Sequence, residues 1–179
     1  GACFFDFAAA FPSVTRAFLW IAFASIGIPN SIIYAIMALY INNIHFVRTK
    51  DGLRFVFIAK SGVRQGCPLS SIIFILVTNC LNLAFLSVIG ADPKNLHLAY
   101  ADDIAMVLHN LWKMGPTICS LFSLVGEISS LCLNLNKCIC IPLWHFNEAN
   151  VRAMLKRIVP LWAGFVIRGH GKYLGFQVG

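Results

Sequence analysis

Two adjacent aspartates, Asp102 and Asp103, lie between two apolar runs at 96–101 and 104–108. The runs predict the two arms of a β-hairpin that carries the carboxylates at its turn. Neighbouring carboxylates repel each other, and the repulsion falls when a divalent cation lies between them. Asp is also a favoured turn residue. The pair by itself therefore indicates either a metal site or an ordinary turn.

A third acidic residue, Asp6, follows the apolar run at 2–5. A carboxylate at the end of a buried strand can project over the sheet edge toward a neighbouring strand. If Asp6 and Asp102 face each other there, three carboxylates meet without a basic residue nearby in sequence. Such a cluster suits two Mg²⁺ ions, which take few carboxylates and complete their shells with water and phosphate. The alternative is that Asp6 caps the helix that follows it.

Composition limits the classes of protein that the chain can belong to. Its 179 residues suffice for one domain with a sizeable core, or for part of a larger one. Fourteen Lys and Arg against seven Asp and Glu give a net charge of +7, which favours phosphate-bearing partners. The basic residues are scattered, however, as they are on any solvated surface. Seven cysteines without metal-ligand spacing predict buried free thiols in a reducing compartment.

Two long stretches, 17–47 and 67–91, contain no Lys, Arg, Asp or Glu, and the chain is 59% hydrophobic. Uncharged apolar stretches of this length meet the usual threshold for a transmembrane helix. The first is interrupted at 27–30, and the second contains Thr78 and Asn79 near its centre. A hydrophobic helix buried beneath a sheet has the same profile. We therefore expect core helices and no membrane contact, with an integral membrane protein as the alternative.

The elements that must position the aspartates follow one another in a mixed order. Strands, helices and hairpins in this sequence predict an α+β fold, with a largely antiparallel sheet and helices packed on one face. The expected strands lie at 2–7, 44–49, 53–59, 136–142, 164–168 and 173–178, with the aspartate hairpin at 95–109. The expected helices lie at 13–26, 30–41, 68–90, 116–130 and 147–158.

Five segments in a fixed order extend over nearly the whole chain. They are Asp-Phe-Ala-Ala-Ala-Phe-Pro-Ser at 6–13, Ser-Gly-Val-Arg-Gln-Gly-Cys-Pro-Leu-Ser at 61–70, Tyr-Ala-Asp-Asp at 100–103, Leu-Cys-Leu-Asn-Leu-Asn-Lys-Cys at 131–138 and Lys-Tyr-Leu-Gly at 172–175. Together they resemble the palm of a reverse transcriptase of the non-LTR, LINE-type retrotransposon class. The second segment is the most specific match, and the last resembles the primer grip.

The resemblance implies a polymerase palm fold and RNA-templated DNA synthesis, with an RNA template, a DNA primer and deoxynucleoside triphosphates as partners. A primer 3′-hydroxyl attacks the α-phosphate between two Mg²⁺ ions, for which Mn²⁺ is a possible substitute. Asp6 and Asp102 would bridge both ions, Asp103 would support the site, and the Phe7 carbonyl would add an oxygen ligand. Lys137 would protonate the leaving pyrophosphate, unless it is simply a solvated lysine before a strand.

The resemblance also implies nucleotide-binding residues. Phe11 stands where the family places a ring that excludes a 2′-hydroxyl, although a Phe at that spacing is otherwise an ordinary core residue. Gln65 and Gly66 match residues that pack against the nascent base pair, and Tyr100 belongs to the same set. Arg64 contacts a phosphate or lies on the surface. The residues expected to hold the primer are Lys172, Tyr173, Leu174 and Gly175.

Four positions depart from the family pattern: Ala9, Pro12, Ser71 and Ser130 stand where the family usually has Lys, Asp, Pro and Gly. None of them is a metal ligand, so both a divergent lineage and a decayed copy fit. A catalytically inactive remnant or nucleic-acid-binding module is therefore the alternative function. We expect residues 1–179 to be a partial palm domain, with fingers upstream and a thumb downstream in a longer protein. The implied location is intracellular, nuclear or cytoplasmic, as part of a retroelement protein.

Overall fold

The computed structural model describes residues 1–90 and 92–179. Its strands and helices follow one another in a mixed order, with three helices after the first strand and three strands at the end. The helices are α1 (Ala10–Ser13), α2 (Arg16–Ser25), α3 (Asn30–Tyr40), α4 (Pro68–Ile89), α5 (Leu111–Ser129) and α6 (Glu148–Ile158), with a 3₁₀ helix at Pro160–Gly164. The strands are β1 (Ala2–Phe5), β2 (Ile44–Thr49), β3 (Gly52–Ile58), β4 (Leu96–Tyr100), β5 (Asp103–Val107), β6 (Ile139–Ile141), β7 (Val166–Ile167), β8 (Gly171–Tyr173) and β9 (Phe176–Val178).

The central sheet has five strands in the order β4-β5-β1-β6-β7. All neighbours are antiparallel except β6 and β7, which run parallel. Side chains alternate between the two faces of a strand, so Cys3 and Phe5 of β1 face the large core that the helices cover. Ala2 and Phe4 face the other side, where Tyr173 and Val178 of the β8–β9 hairpin pack. The predicted α+β fold is confirmed.

Helix α4 is the charge-free segment that suggested a membrane span, and it is long and apolar enough to cross one by length and composition. It contacts α2, α5 and β4. The buried residues recur along it at helical spacing, from Ile73 and Val77 to Leu81 and Phe85. The earlier charge-free stretch is divided between α2 and α3, of 10 and 11 residues. One face of α4 is therefore packed in the core, while Ile72, Ile75 and Leu83 on the rest of the helix are exposed.

Several predicted boundaries were wrong, and capping interactions explain two of them. Helix α5 begins five residues before the predicted start, because the Asn110 side chain accepts a hydrogen bond from the Lys113 amide at 3.0 Å. Pro116 is tolerated in the second turn, where it removes one backbone hydrogen bond. The predicted helix at 13–26 is divided into α1 and α2. The predicted strand at 136–142 shortens to β6, since the Lys137 amide closes a turn onto the Asn134 carbonyl.

The predicted terminal strand pair was also wrong in its partners. Strand β7 pairs with β6 in the central sheet, whereas β8 pairs with β9 in a separate hairpin. Leu174 and Gly175 both have positive φ, 47° and 91°. Two positive φ angles fit a two-residue primed turn, which matches the twist of the flanking strands. The hairpin closed by this turn therefore begins at Gly171, seven residues after the start of the predicted strand at 164–168.

The β2–β3 hairpin stands apart from the central sheet. Both strands are exposed along almost their whole length. Large apolar side chains point into solvent there, including Phe46 and Phe55, which are 55% and 60% exposed. Within the described residues, no other helix or strand packs extensively on this hairpin.

Candidate active site

The aspartate pair lies at the turn of the β4–β5 hairpin, as predicted. Tyr100 pairs with Asp103, which leaves Ala101 and Asp102 as the two turn residues. Ala101 has a φ of 54°, a conformation that non-glycine residues adopt at a cost of about 1–2 kcal/mol. The tight turn therefore holds the second aspartate at the start of β5 and the first beside it.

Asp6 lies opposite Asp103 across two neighbouring strands. Phe5 of β1 pairs with Ile104 of β5, so the next position in this antiparallel register brings Asp6 to Asp103. Burial raises the pKa of the Asp103 carboxyl, and the negative charges of Asp102 and Asp6 raise it further. All three aspartates thus contribute to one region of negative potential at the sheet edge.

The segment that precedes β6 holds the Asp6 backbone in place. The Asp6 carbonyl accepts a hydrogen bond from the Asn134 amide at 2.7 Å. The Asp6 amide donates to the Cys138 sulfur at 3.4 Å, and the thiol donates back to the Asp6 carbonyl at 3.8 Å. Phe7 then forms a β-bridge with Leu133. The Asp6 backbone is therefore held by the segment before β6, on the opposite side of β1 from β5.

A cleft of about 290 Å³ opens beside these carboxylates. Its wall includes Asp6 and Asp103 together with two exposed lysines, Lys137 and Lys172. The Tyr173 hydroxyl donates a hydrogen bond to the Asp103 carbonyl at 3.2 Å. Burial, and then the charge of Asp103, raise the pKa of Tyr173. The β8–β9 hairpin thus forms the side of the cleft next to the carboxylates, and Leu174 and Gly175 also line it.

The donor set fits a hard divalent cation in its chemistry. Asp6 Oδ2 is buried, and among the described residues no donor lies within hydrogen-bond distance of it. A buried carboxylate oxygen without a partner is costly unless a cation or water satisfies it. No three His, Cys, Asp or Glu side chains of the described chain form a ready metal cage. Mg²⁺ usually takes only one or two carboxylates from the protein, so Asp6 with Asp102 or Asp103 is sufficient.

The second predicted segment docks onto the first. The Gly62 amide donates to the Val14 carbonyl at 2.8 Å, and the Val63 amide donates to the Phe11 carbonyl at 2.9 Å. Gly62 has a φ of +75°, and a Cβ there would lie 2.5 Å from the Pro12 carbonyl oxygen. This close approach requires glycine. The Phe11 ring stacks on the ring of Phe74, with centroids 4.3 Å apart.

The chain matches a known protein family over nearly its whole length. The family described as reverse transcriptase (RNA-dependent DNA polymerase) matches residues 1–178. This chain belongs to the reverse transcriptase family. The match includes all five segments singled out in the sequence, and helix α4 lies within it.

Solved structures with a similar fold include telomerases. Telomerase from Candida albicans, in complex with the TWJ fragment of telomeric RNA, has a TM-score of 0.65, 14% identity and coverage of 79% of this chain. Apo telomerase from Candida tropicalis, truncated from the C-terminal domain, also has a TM-score of 0.65, with 20% identity and 82% coverage. This chain spans 28% and 31% of those two chains. At these identities the likeness establishes the reverse transcriptase palm fold.

The nucleotide-binding residues expected of a reverse transcriptase lie outside the 290 Å³ cleft. Gln65 and Gly66 form an exposed turn before α4, and Tyr100 is 68% exposed. The Arg64 guanidinium donates to the Leu39 carbonyl at 2.6 Å, at the end of α3. The surface alternative describes Arg64 as it stands here, and its contact with a phosphate stays a prediction.

Three interactions in this reverse transcriptase domain were missed by sequence reasoning. The Asn134 amide and the Cys138 thiol both bind the Asp6 backbone, and the Tyr173 hydroxyl binds that of Asp103. Tyr173 was expected to contact the primer, but its hydrogen bond to the Asp103 carbonyl was not expected. The cysteines were expected to be buried, yet Cys132 is exposed. Cys138 carried no signal that separated it from the other six.

Proposed function

We propose that this chain is the palm of an RNA-directed DNA polymerase from a non-LTR, LINE-type retroelement. The observation that carries the proposal is the register that brings Asp6 to Asp103, together with a buried carboxylate oxygen of Asp6 that has no hydrogen-bond partner among the described residues. The family match supports RNA-templated polymerisation in general. The resemblance of the five segments supports the narrower retroelement origin.

Two Mg²⁺ ions, or Mn²⁺ in their place, held by the three aspartates and the Phe7 carbonyl, would supply charge stabilisation for nucleotidyl transfer. The reaction joins the primer 3′-oxygen to the α-phosphorus and releases pyrophosphate. Lys137 lines the same cleft as Asp6, so its ammonium group can donate a proton to the departing pyrophosphate. The cations that the aspartates would hold and the Lys137 ammonium would thus both offset negative charge on the reacting phosphates.

The β8–β9 hairpin is assigned to the primer. Its Tyr173 ring packs against Phe4, with centroids 5.5 Å apart, and its hydroxyl reaches Asp103. Lys172 adds positive charge beside the carboxylates, which suits a phosphate of the primer backbone. A primer lying along Lys172, Leu174 and Gly175 therefore ends next to the aspartates.

The template and the nucleotide are assigned to the segments around Phe11 and Gly66. Phe11 excludes the 2′-hydroxyl, and Gln65 and Gly66 pack against the new base pair. An Ala or larger residue at 66 would crowd a ligand, whereas the glycine has open space around the position of a Cβ. Residues 1–179 form a partial palm, with the fingers and thumb in the rest of an intracellular retroelement protein, nuclear or cytoplasmic.

The decisive experiment is extension of a DNA primer on an RNA template, with the full reading frame that contains this segment. Extension should require Mg²⁺ or Mn²⁺ and should fall by at least about 10³-fold in Asp102→Asn, because a group acting at the reacting centre is lost. A folded protein that binds the duplex but does not extend the primer would instead establish the inactive, nucleic-acid-binding alternative.

A further inference from the structure

The Cys138 side chain forms hydrogen bonds to the Asp6 backbone where the β1–β6 strand pairing has already ended. The β1–β6 ladder ends at Phe4 and Ile139, so the Asp6 peptide lies beyond the last pair of strand residues. Its amide donates to the Cys138 sulfur at 3.4 Å, and its carbonyl accepts from the thiol at 3.8 Å. Cys138 itself is completely buried.

The thiol therefore holds the backbone amide and the backbone carbonyl of one residue, Asp6, which belong to the two successive peptide groups on either side of its Cα. Buried backbone amides and carbonyls are almost always hydrogen-bonded, because an unsatisfied group loses its hydration without compensation. The Asp6 carbonyl has a second donor in the Asn134 amide at 2.7 Å. For the Asp6 amide, Cys138 is the only hydrogen-bond partner within the described residues. Removing the sulfur frees the Asp6 amide to rotate in search of another acceptor.

Cys140 provides an internal comparison. It lies two residues further along, within β6, is equally buried, and pairs with Cys3 of β1. In the part of the chain that the structure describes, its thiol does not contact Asp6. The two cysteines therefore share burial and residue type, and they differ in that only Cys138 is hydrogen-bonded to the Asp6 backbone.

We propose that Cys138 is a positioning residue for Asp6. By holding the amide and the carbonyl on either side of the Asp6 Cα, the thiol fixes where the Asp6 carboxylate stands relative to Asp103. The consequence is a dependence of divalent-cation affinity on a side chain that is not itself a ligand. This inference rests on the proposed function, because it concerns the same three aspartates.

The test is equilibrium binding of Mn²⁺ to the full-length protein without nucleotide or primer, followed by the loss of the free-ion signal in electron paramagnetic resonance. Cys138→Ala should weaken Mn²⁺ binding by about tenfold, the usual effect of removing a group that orients a metal ligand. Cys138→Ser should bind nearly as well as wild type, because a hydroxyl can both accept and donate. In primer extension, Cys138→Ala should raise the Mg²⁺ concentration at half-maximal rate and leave KM for the nucleotide unchanged.

Cys140→Ala is the matched control, since it removes an equally buried thiol only two residues away. It should lower thermal stability about as much as Cys138→Ala while leaving Mn²⁺ affinity unchanged. Equal weakening in both variants would overturn the proposal, because it would show a general packing effect. If Cys138→Ala fails to fold, Cys138→Val fills the site without the hydrogen bonds and should show the same weakened binding.

The outcomes separate this inference from the function on which it rests. Asp6→Asn should abolish the Mn²⁺ site, which tests the aspartates directly. A folded wild-type protein that binds no Mn²⁺ and extends no primer would overturn the proposed function, and this inference with it. Wild-type binding that Cys138→Ala leaves unchanged would overturn this inference alone.

Discussion

Phe11 packs in the core and does not line the 290 Å³ cleft beside the aspartates, so its contact with the nucleotide sugar stays a prediction. Its ring stacks on the fully buried ring of Phe74, and its carbonyl accepts the Val63 amide. The stack holds the Phe11 ring in one orientation. A ring held rigidly is better suited to exclude a hydroxyl group than one that can rotate away.

Replacing Phe11 should therefore change sugar selectivity more than it changes folding. Phe11→Val should raise the efficiency of ribonucleotide use relative to deoxyribonucleotide use by at least about tenfold, since a pocket discriminates one small group by 1–3 kcal/mol. Single-nucleotide incorporation with each substrate measures the ratio. Phe11→Tyr keeps the ring and should keep the wild-type ratio. An unchanged ratio in Phe11→Val would leave Phe11 as a core residue only.

At the residue scale, the sequence predicted those site residues whose partners are local. Asp102 and Asp103 follow from a hairpin turn, which is encoded within a few residues. The role of Cys138 could not be predicted, because its partner Asp6 is 132 positions away. A thiol that binds a distant peptide leaves no spacing or charge pattern behind it.

The junction between α1 and the loop before α4 shows how two sequence segments become one surface. Gly62 donates to Val14 and places its Cα against Pro12. Gly66 has a similar φ, +80°, but open space around the position of a Cβ. A side chain at either glycine would be strained by the positive φ, but only a side chain at Gly62 would also clash with a neighbour.

Gly62→Ala should destabilise the protein far more than Gly66→Ala. In Gly62→Ala, the strain of a positive φ adds to a backbone clash, for a total of about 2–4 kcal/mol. In Gly66→Ala only the strain remains, about 1 kcal/mol. Urea denaturation of the two variants measures both values. Equal losses would mean that the loop moves off Pro12 easily. Activity should fall in Gly66→Ala beyond its stability loss if the base pair packs there.

Helices and strands were predictable where a hydrophobic periodicity or a turn sequence defines them. They were less predictable where contacts with distant parts of the chain define them. Helix α4 and the β4–β5 hairpin both have strong local patterns, and both formed as expected. Strand β7 has only two residues, and it exists because β6 is beside it. Its parallel pairing depends on the whole path of α6 and the 3₁₀ helix, which no local pattern records.

The stability of the whole molecule should depend on pH through His97. This residue lies on the edge strand β4, with its ring edge-on to Phe85 at 5.8 Å. Burial lowers the pKa of the His97 imidazole, and among the described residues its Nε2 atom has no hydrogen-bond partner. The unfolded chain therefore binds a proton at His97 more readily than the folded chain does.

The sign of the effect follows from this difference. His97 is neutral in both states above its unfolded pKa of 6.5, so it makes no pH-dependent contribution there. As the pH falls below 6.5 the unfolded state gains the proton first, and stability declines until the folded pKa is passed. His97→Phe should remove this decline, worth no more than about 1 kcal/mol for a half-exposed group. Thermal melts at pH 8 and pH 5 measure it, and an equal decline in both proteins would exclude His97 as the cause.

Fold class and family follow from the sequence, since they rest on ordered motifs. The three aspartates were also singled out there, although the strand register places Asp103, and not Asp102 as expected, opposite Asp6. The relatives in the telomerase structures are about three times longer, given that this chain spans 28% and 31% of them. The packing of α4 could be predicted only as one of two alternatives, since a core helix and a membrane helix share a composition.

The exposed β2–β3 hairpin should unfold locally before the central sheet does. A two-stranded hairpin without a covering layer is marginally stable in water, and regions with few buried contacts open locally at little free-energy cost. The central sheet, with Phe5 and Met106 fully enclosed, opens only with the whole domain. A protease added to the folded chain therefore cuts first near the turn at Lys50 and Asp51, and the fragments remain joined through an intact sheet. Cleavage at this turn should therefore slow when another surface binds the hairpin, and the rate of cleavage reports that binding.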